Sequence, residues 1–109
     1  MKDFYDIYYL SMTFDFDGTT LQTAIFETLQ NRGTPYEKSS FQRVVDLAND
    51  PDMQIKWRFF LKNIKNDSLN FNVVIQKIQI FLEPVYNAII NESEWQQKWD
   101  SNVEKWKEQ

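Results

Sequence analysis

In the run Phe71-Asn72-Val73-Val74-Ile75-Gln76-Lys77-Ile78-Gln79-Ile80-Phe81-Leu82-Glu83-Pro84-Val85-Tyr86-Asn87-Ala88-Ile89, the apolar residues Phe71, Val74, Ile75, Ile78, Leu82, Val85 and Ile89 recur at helical spacing. It is the longest periodic segment of the chain, and it sets the expectation of a helical protein. Pro84 falls inside it and is expected to kink or divide the helix, because proline has no N–H to donate and its ring crowds the preceding turn.

On the N-terminal side of this run, Asp50 followed by Pro51 reads as a helix start, an acceptor at the N-cap and proline at the first helical position. The helix it opens presents Met53, Trp57, Phe60, Leu61 and Ile64. Before it, Ser39 or Ser40 is expected to cap a helix with the stripe Phe41, Val44, Val45 and Ala48. A helix with Leu21, Ala24, Ile25, Thr28 and Leu29 on one face is capped by Asp17 or Thr19. It ends where Gly33 supplies a left-handed residue and Pro35 blocks continuation. On the C-terminal side of the long run, Ser93 and Gln96 fit a capping box, with Trp95, Trp99, Val103 and Trp106 on one face of a last helix. With a first helix over residues 3–13, the expected fold is all-α, a compact bundle of about six helices forming one domain over residues 1–109.

Composition agrees with helices. Only two Gly and three Pro occur in 109 residues, too few for the turns of an all-β sandwich. The 17% aromatic content argues for a packed globule or an adhesive interface. With no Cys there is no disulfide or thiolate metal site, and with no His the commonest general base and zinc ligand are absent. A bound metal would need oxygen ligands, which suits Mg²⁺. The formal charge of −4 gives no overall basic footprint for nucleic acid. The apolar runs read as too short for a membrane span, and the opening residues do not form a signal peptide, so a cytoplasmic location is expected.

Few residues carry chemistry. Gly18 and Gly33 are isolated and make no phosphate loop. Asp15, Asp17 and Gly18 lack the later ligands of a calcium loop and read as a turn. Trp95, Trp99 and Trp106 could stack bases, but the acidic balance favours a docking face. The first helix is different. Phe4, Tyr5, Ile7, Tyr8, Tyr9, Leu10 and Met12 cover nearly its whole circumference, a pattern of helices buried on all sides. Lys2, Asp3 and Asp6 cluster at its start. Two readings stand side by side: acids complementing the helix dipole, or a Lys for a phosphate and an Asp supporting metal or substrate.

The run Lys2-Asp3-Phe4-Tyr5-Asp6-Ile7-Tyr8-Tyr9-Leu10 resembles the last signature of the AbiEii/AbiGii nucleotidyltransferase toxin family, roughly Arg-x-Lys-Asp-x-x-Asp-Leu/Ile. Phe14-Asp15-Phe16-Asp17-Gly18, the helix ending in Asn31-Arg32-Gly33-Thr34-Pro35, the Trp57 helix and Phe81-Leu82-Glu83-Pro84-Val85 continue the likeness along the family's C-terminal helical region. The resemblance implies a C-terminal domain of a polymerase-β-like nucleotidyltransferase, with the N-terminal domain, its Gly-Ser-type loop and its metal-binding acids absent. The signature's leading Arg would fall just before Met1, so the chain looks like a C-terminal fragment or a separately encoded half, inactive alone. By the same resemblance Lys2, Asp3 and Asp6 would face a nucleotide cleft shared with the missing domain. The family's activity is nucleotide transfer from NTP with Mg²⁺, to an acceptor often thought to be tRNA, in a type IV toxin–antitoxin or abortive infection system. The expected partners are therefore the missing domain and an antitoxin. A different reading of the same first helix is a non-catalytic interaction module that self-associates into a homo-oligomer through Phe4, Tyr5, Tyr8 and Tyr9.

Overall fold

The computed structural model describes residues 2–33, 38–65 and 68–108. The long run forms a continuous helix, Phe71–Ile90, which Pro84 does not divide. Here it is called α5. Asn70 caps it by accepting from the Asn72 amide at 2.7 Å. Its inward face, Phe71, Val74, Ile75, Ile78, Phe81, Val85, Tyr86, Ala88 and Ile89, is buried. By length and composition alone α5 could cross a membrane, although the sequence reading found no such segment. Within the fold it is the core helix, and its buried side chains face the other elements.

Those elements are α1 (Lys2–Thr13), α2 (Gly18–Asn31), α3 (Lys38–Asp46), a single 3₁₀ turn (Leu47–Asn49) and α4 (Pro51–Asn63). Asp50 takes the expected N-cap role for α4, accepting from the Asp52 amide at 2.9 Å, with Pro51 at the first helical position. Trp57 and Leu61 of α4 and Phe41 of α3 are buried on the α5 cluster. The Trp57 indole donates to the Leu69 carbonyl at 2.8 Å, which closes the approach to α5. Gly33 has φ +60, and its amide donates to the Gln30 carbonyl, the left-handed helix end that the sequence predicts. Pro35 lies outside the described residues. Helix α3 already begins at Lys38, so neither Ser39 nor Ser40 stands ahead of it.

The C-terminal segment overturns the all-α bundle of about six helices. Among the described residues there are five α-helices and a three-stranded antiparallel sheet of β1 (Phe16–Asp17), β2 (Gln97–Asp100) and β3 (Lys105–Glu108), in that order. Trp99 pairs with Trp106 across the hairpin, and Phe16 pairs with Trp99 on the other side. The reason is physical. The sequence interval between Trp99 and Trp106 suits two helical turns, but it also suits facing positions across a hairpin loop of Ser101, Asn102, Val103 and Glu104. Three contacts select the hairpin. Asp100 Oδ1 accepts from the Asn102 amide, an Asx turn, and Glu104 takes φ 56 to complete the reversal. Asp15 Oδ1 accepts from the Ser101 amide at 2.8 Å and its hydroxyl at 2.9 Å.

The expected capping box is absent because Ser93 serves the end of α5. Glu92 has φ 55, its amide donates to the Ile89 carbonyl, and the Ser93 amide donates to the Ala88 carbonyl. These are the two bonds of a Schellman motif. The Gln22 side chain of α2 then holds the following segment extended, donating to the Ser93 carbonyl at 2.6 Å and accepting from the Trp95 amide at 2.8 Å. The tryptophans pack with Phe81. The rings of Phe81 and Trp99 are 4.8 Å apart, those of Phe81 and Trp106 are stacked at 6.0 Å, and Trp95 meets Trp106 edge-on.

Gly18 opens α2 beneath this sheet. A Cβ there would lie 2.5 Å from the carbonyl oxygens of both Trp95 and Gln97. Only glycine permits that approach of helix start to strand.

Candidate functional site

Helix α1 is tied down along one side. Phe4 meets Phe71 edge-on at 5.6 Å, and Tyr5 meets Phe60 of α4 at 5.6 Å. Further along, Ser11 is 1% exposed. Its hydroxyl donates to the Tyr8 carbonyl at 2.7 Å, and its carbonyl accepts from the Trp99 indole at 2.7 Å. The helix is thus fixed by aromatic packing at its start and by the hairpin near its end.

At about 3.6 residues per turn, the opposite side is a single surface. Lys2, Asp6, Tyr9 and Thr13 form one row, and Asp3 and Leu10 the next. Lys2 Nζ lies 3.4 Å from Asp6 Oδ2, with side chains 80% and 48% exposed. Asp3 is exposed in the first turn, where a negative charge complements the helix dipole. The structure brings the three expected residues together on one wet face. An exposed pair of this kind stabilises a helix little, and a Lys placed N-terminal to its acid is the weaker order.

The apolar part of the first helix divides between the two sides. Phe4, Tyr5, Ile7 and Tyr8 are half-buried against the protein's own core. Tyr9, at 51% exposed, continues the charged face together with Leu10, and Met12 and Phe14 are exposed beside them. Of Phe4, Tyr5, Tyr8 and Tyr9, the set expected to seek a partner, only Tyr9 is open to one. Sequence reasoning passed over Phe14. The signal was slight, a large aromatic directly after the helix end and four residues on from Leu10, which is also exposed.

The chemistry on this face is limited to an ammonium group and two carboxylates. Lys2 can neutralise a phosphate oxygen, and Asp3 and Asp6 accept hydrogen bonds or approach a cation. Among the described residues no three acids are grouped to hold a metal ion. Asp15 and Asp17 are likewise engaged in structure, Asp15 with Ser101 and Asp17 with the Thr20 hydroxyl at 2.7 Å.

No curated protein and no solved structure matches the chain. A family model does, over residues 1–100, from the charged start of α1 through β2. That model describes the nucleotidyl transferase AbiEii toxin of type IV toxin–antitoxin systems. The same stretch carries the Lys2, Asp3 and Asp6 cluster, the helices around α5 and the Trp99 anchor on α1. The chain therefore belongs to the nucleotidyl transferase AbiEii toxin family.

Proposed function

We propose that this chain serves as the helical part of a nucleotidyltransferase toxin and that the exposed face of α1 is one wall of its nucleotide cleft. The other wall, with the phosphate loop and metal-binding acids of the family, is a nucleotidyltransferase domain outside these 109 residues. The observation that carries the reading is the division of α1. Its packed side is fixed by Phe4, Tyr5 and Ser11, while Lys2, Asp3, Asp6, Tyr9 and Leu10 share the side left open. Charges beside apolar groups on one rigid face suit a closing cleft, in which apolar area joins the two domains and the charges meet substrate.

Within that cleft Lys2 binds a phosphate oxygen of the NTP, and Asp3 and Asp6 orient Lys2 and polar groups of the substrate. Mg²⁺ would supply charge neutralisation of the phosphates from the opposite wall. The acceptor is tRNA by family likeness, an antitoxin belongs to the system, and the complex works in the cytoplasm. Alone, the chain transfers no nucleotide.

The test uses the full chain with and without a nucleotidyltransferase domain of the same family, labelled NTPs, Mg²⁺ and tRNA. Transfer is expected only with both parts, and Lys2→Ala or Asp3→Ala should abolish it. Turnover by the chain alone would overturn the reading. A second reading draws on the exposure of Tyr9, Leu10, Met12 and Phe14. In it the same face joins two copies of the chain in a non-catalytic module. A dimer that Tyr9→Ser and Leu10→Ser convert to monomer, with no gain of activity on adding the catalytic domain, would favour that alternative.

A further inference from the structure

The outer face of α4 departs from the acidic character of the rest of the chain. Residues 51–65 hold four basic side chains, Lys56, Arg58, Lys62 and Lys65, all exposed, against one acid, Asp52. Arg58 and Lys62 stand one turn apart on the side facing away from Trp57 and Leu61, with Ile55 and Phe59 between and beside them. These four line a shallow recess of 220 Å³. Phe59 is 62% exposed, more than any other large apolar side chain among the described residues. Lys62 Nζ sits 5.4 Å from the centre of its ring. No described carboxylate pairs with Arg58 or Lys62.

We propose that this ridge binds single-stranded nucleic acid, with a base stacked on Phe59 and phosphates on Arg58 and Lys62. An exposed ring flanked by unpaired cations matches a ligand that repeats a flat base beside an anionic phosphate. Neighbours one helical turn apart are about 5–6 Å from each other, comparable to the spacing of adjacent phosphates on an extended strand. The alternatives fit less well. A membrane-surface helix buries a whole apolar face in the lipid, whereas the main apolar face of α4 is buried in the protein core. An acidic protein would find charge here but no use for a bare ring. The helix that carries the ridge also packs on the helix of the proposed cleft, since Phe60 on the inner side of α4 touches Tyr5 of α1. The inference deepens the nucleotidyltransferase reading, from which it takes only the need for an acceptor strand.

The experiment is fluorescence anisotropy of a labelled oligouridine with the full chain over a range of salt, without NTP or a catalytic domain. Phe59→Ala should weaken binding about tenfold or more and leave the salt dependence unchanged. Phe59→Leu should lose nearly as much, since it keeps apolar area and removes the flat ring. The double variant Arg58→Gln/Lys62→Gln should lower the slope of log K against log salt by about 1.4. Lys98→Gln, on the sheet, should leave both quantities as they are.

Equal binding of polyglutamate or of phosphatidylserine vesicles would overturn the proposal. So would failure to bind oligouridine, a Phe59→Ala variant that binds normally, or a Lys98→Gln variant as weak as those of α4. Because the measurement involves no transfer, these outcomes are separate from those that test Lys2 and Asp3.

Discussion

Replacing Gly18 by alanine adds one methyl group at the point where α2 starts beneath the sheet. The new Cβ would lie 2.5 Å from two backbone oxygens, those of Trp95 and Gln97, and 2.7 Å from Trp95 Cδ1. The indole atom can move aside, but the two carbonyls cannot without shifting the segment that leads into β2. Overpacking of this kind costs roughly 1–3 kcal/mol. Alanine returns part of that through better helix propensity, up to about 1 kcal/mol in a helix interior and less at its first residue. The net expectation is a loss of about 1–2 kcal/mol. For a domain near this size each kcal/mol lowers Tm by roughly 4–8 °C, so Gly18→Ala should melt about 5–15 °C below the parent in a calorimetric or circular dichroism scan. Tryptophan emission should shift with it, because Trp95, Trp99 and Trp106 share the displaced region. The substitution also discriminates between folds. Were residues 93–106 the helix that their apolar spacing suggests, no strand would lie over Gly18 and alanine would be neutral or stabilising. An unchanged or raised Tm would therefore refute both the close approach and the hairpin.

Trp99→Phe removes the indole donor from the buried Ser11 carbonyl and leaves a smaller ring beside Phe81, so a loss of about 2–4 kcal/mol is expected in urea denaturation. A loss under about 1 kcal/mol would mean that the hairpin does not anchor α1. Asp100 has its pKa held below the ordinary 3.8, first by the Lys107 hydrogen bond and then by the Asn102 amide. Its folded pKa is depressed, so its stabilising effect is present above the unfolded carboxylate value and is lost as pH falls through the lowered one. Asp100→Asn should therefore melt below the parent near neutral pH, with the gap closing in acid as both proteins come to carry a neutral side chain; a gap independent of pH would exclude the Lys107 pairing. Lys2→Ala and Asp3→Ala should leave Tm within about 1–2 °C of the parent, as expected for exposed residues, while abolishing transfer in the assembled enzyme. A large fall in Tm would return both residues to a purely structural role.

The helices were legible where their determinants are local. Asp50 and Pro51 announce α4 and Gly33 ends α2 through contacts within a few residues, and the periodic face of α5 is written in its own twenty positions. The hairpin was not legible because what selects it lies far away in the chain. Asp15, Gln22 and the Ser11 carbonyl reach across sequence separations of 86, 71 and 88 residues. Within the window 95–106 itself, helix and hairpin present the same apolar spacing. The candidate site was legible in part. The clustering of Lys2, Asp3 and Asp6 followed from helical geometry, whereas the split of the aromatic positions of α1 into a packed and an open side depends on where α4 and α5 lie. The ridge on α4 escaped notice because a total charge of −4 averages over a surface on which the charges are segregated.

The distant anchoring of the hairpin also governs when the protein can become itself. β1 is two residues long and has no partner until β2 leaves the ribosome, and the Ser11 carbonyl waits for an indole encoded 88 residues later. Such long-range pairings form only after both partners have been synthesised. Until Trp99 has been made, the rear of α1 lacks its brace from the hairpin and is held only by the packing of Phe4 and Tyr5. A polypeptide ending before Trp99 would keep the packing of Phe4 and Tyr5 but lose the tie at the far end of α1, so the charged helix would be held at one end alone.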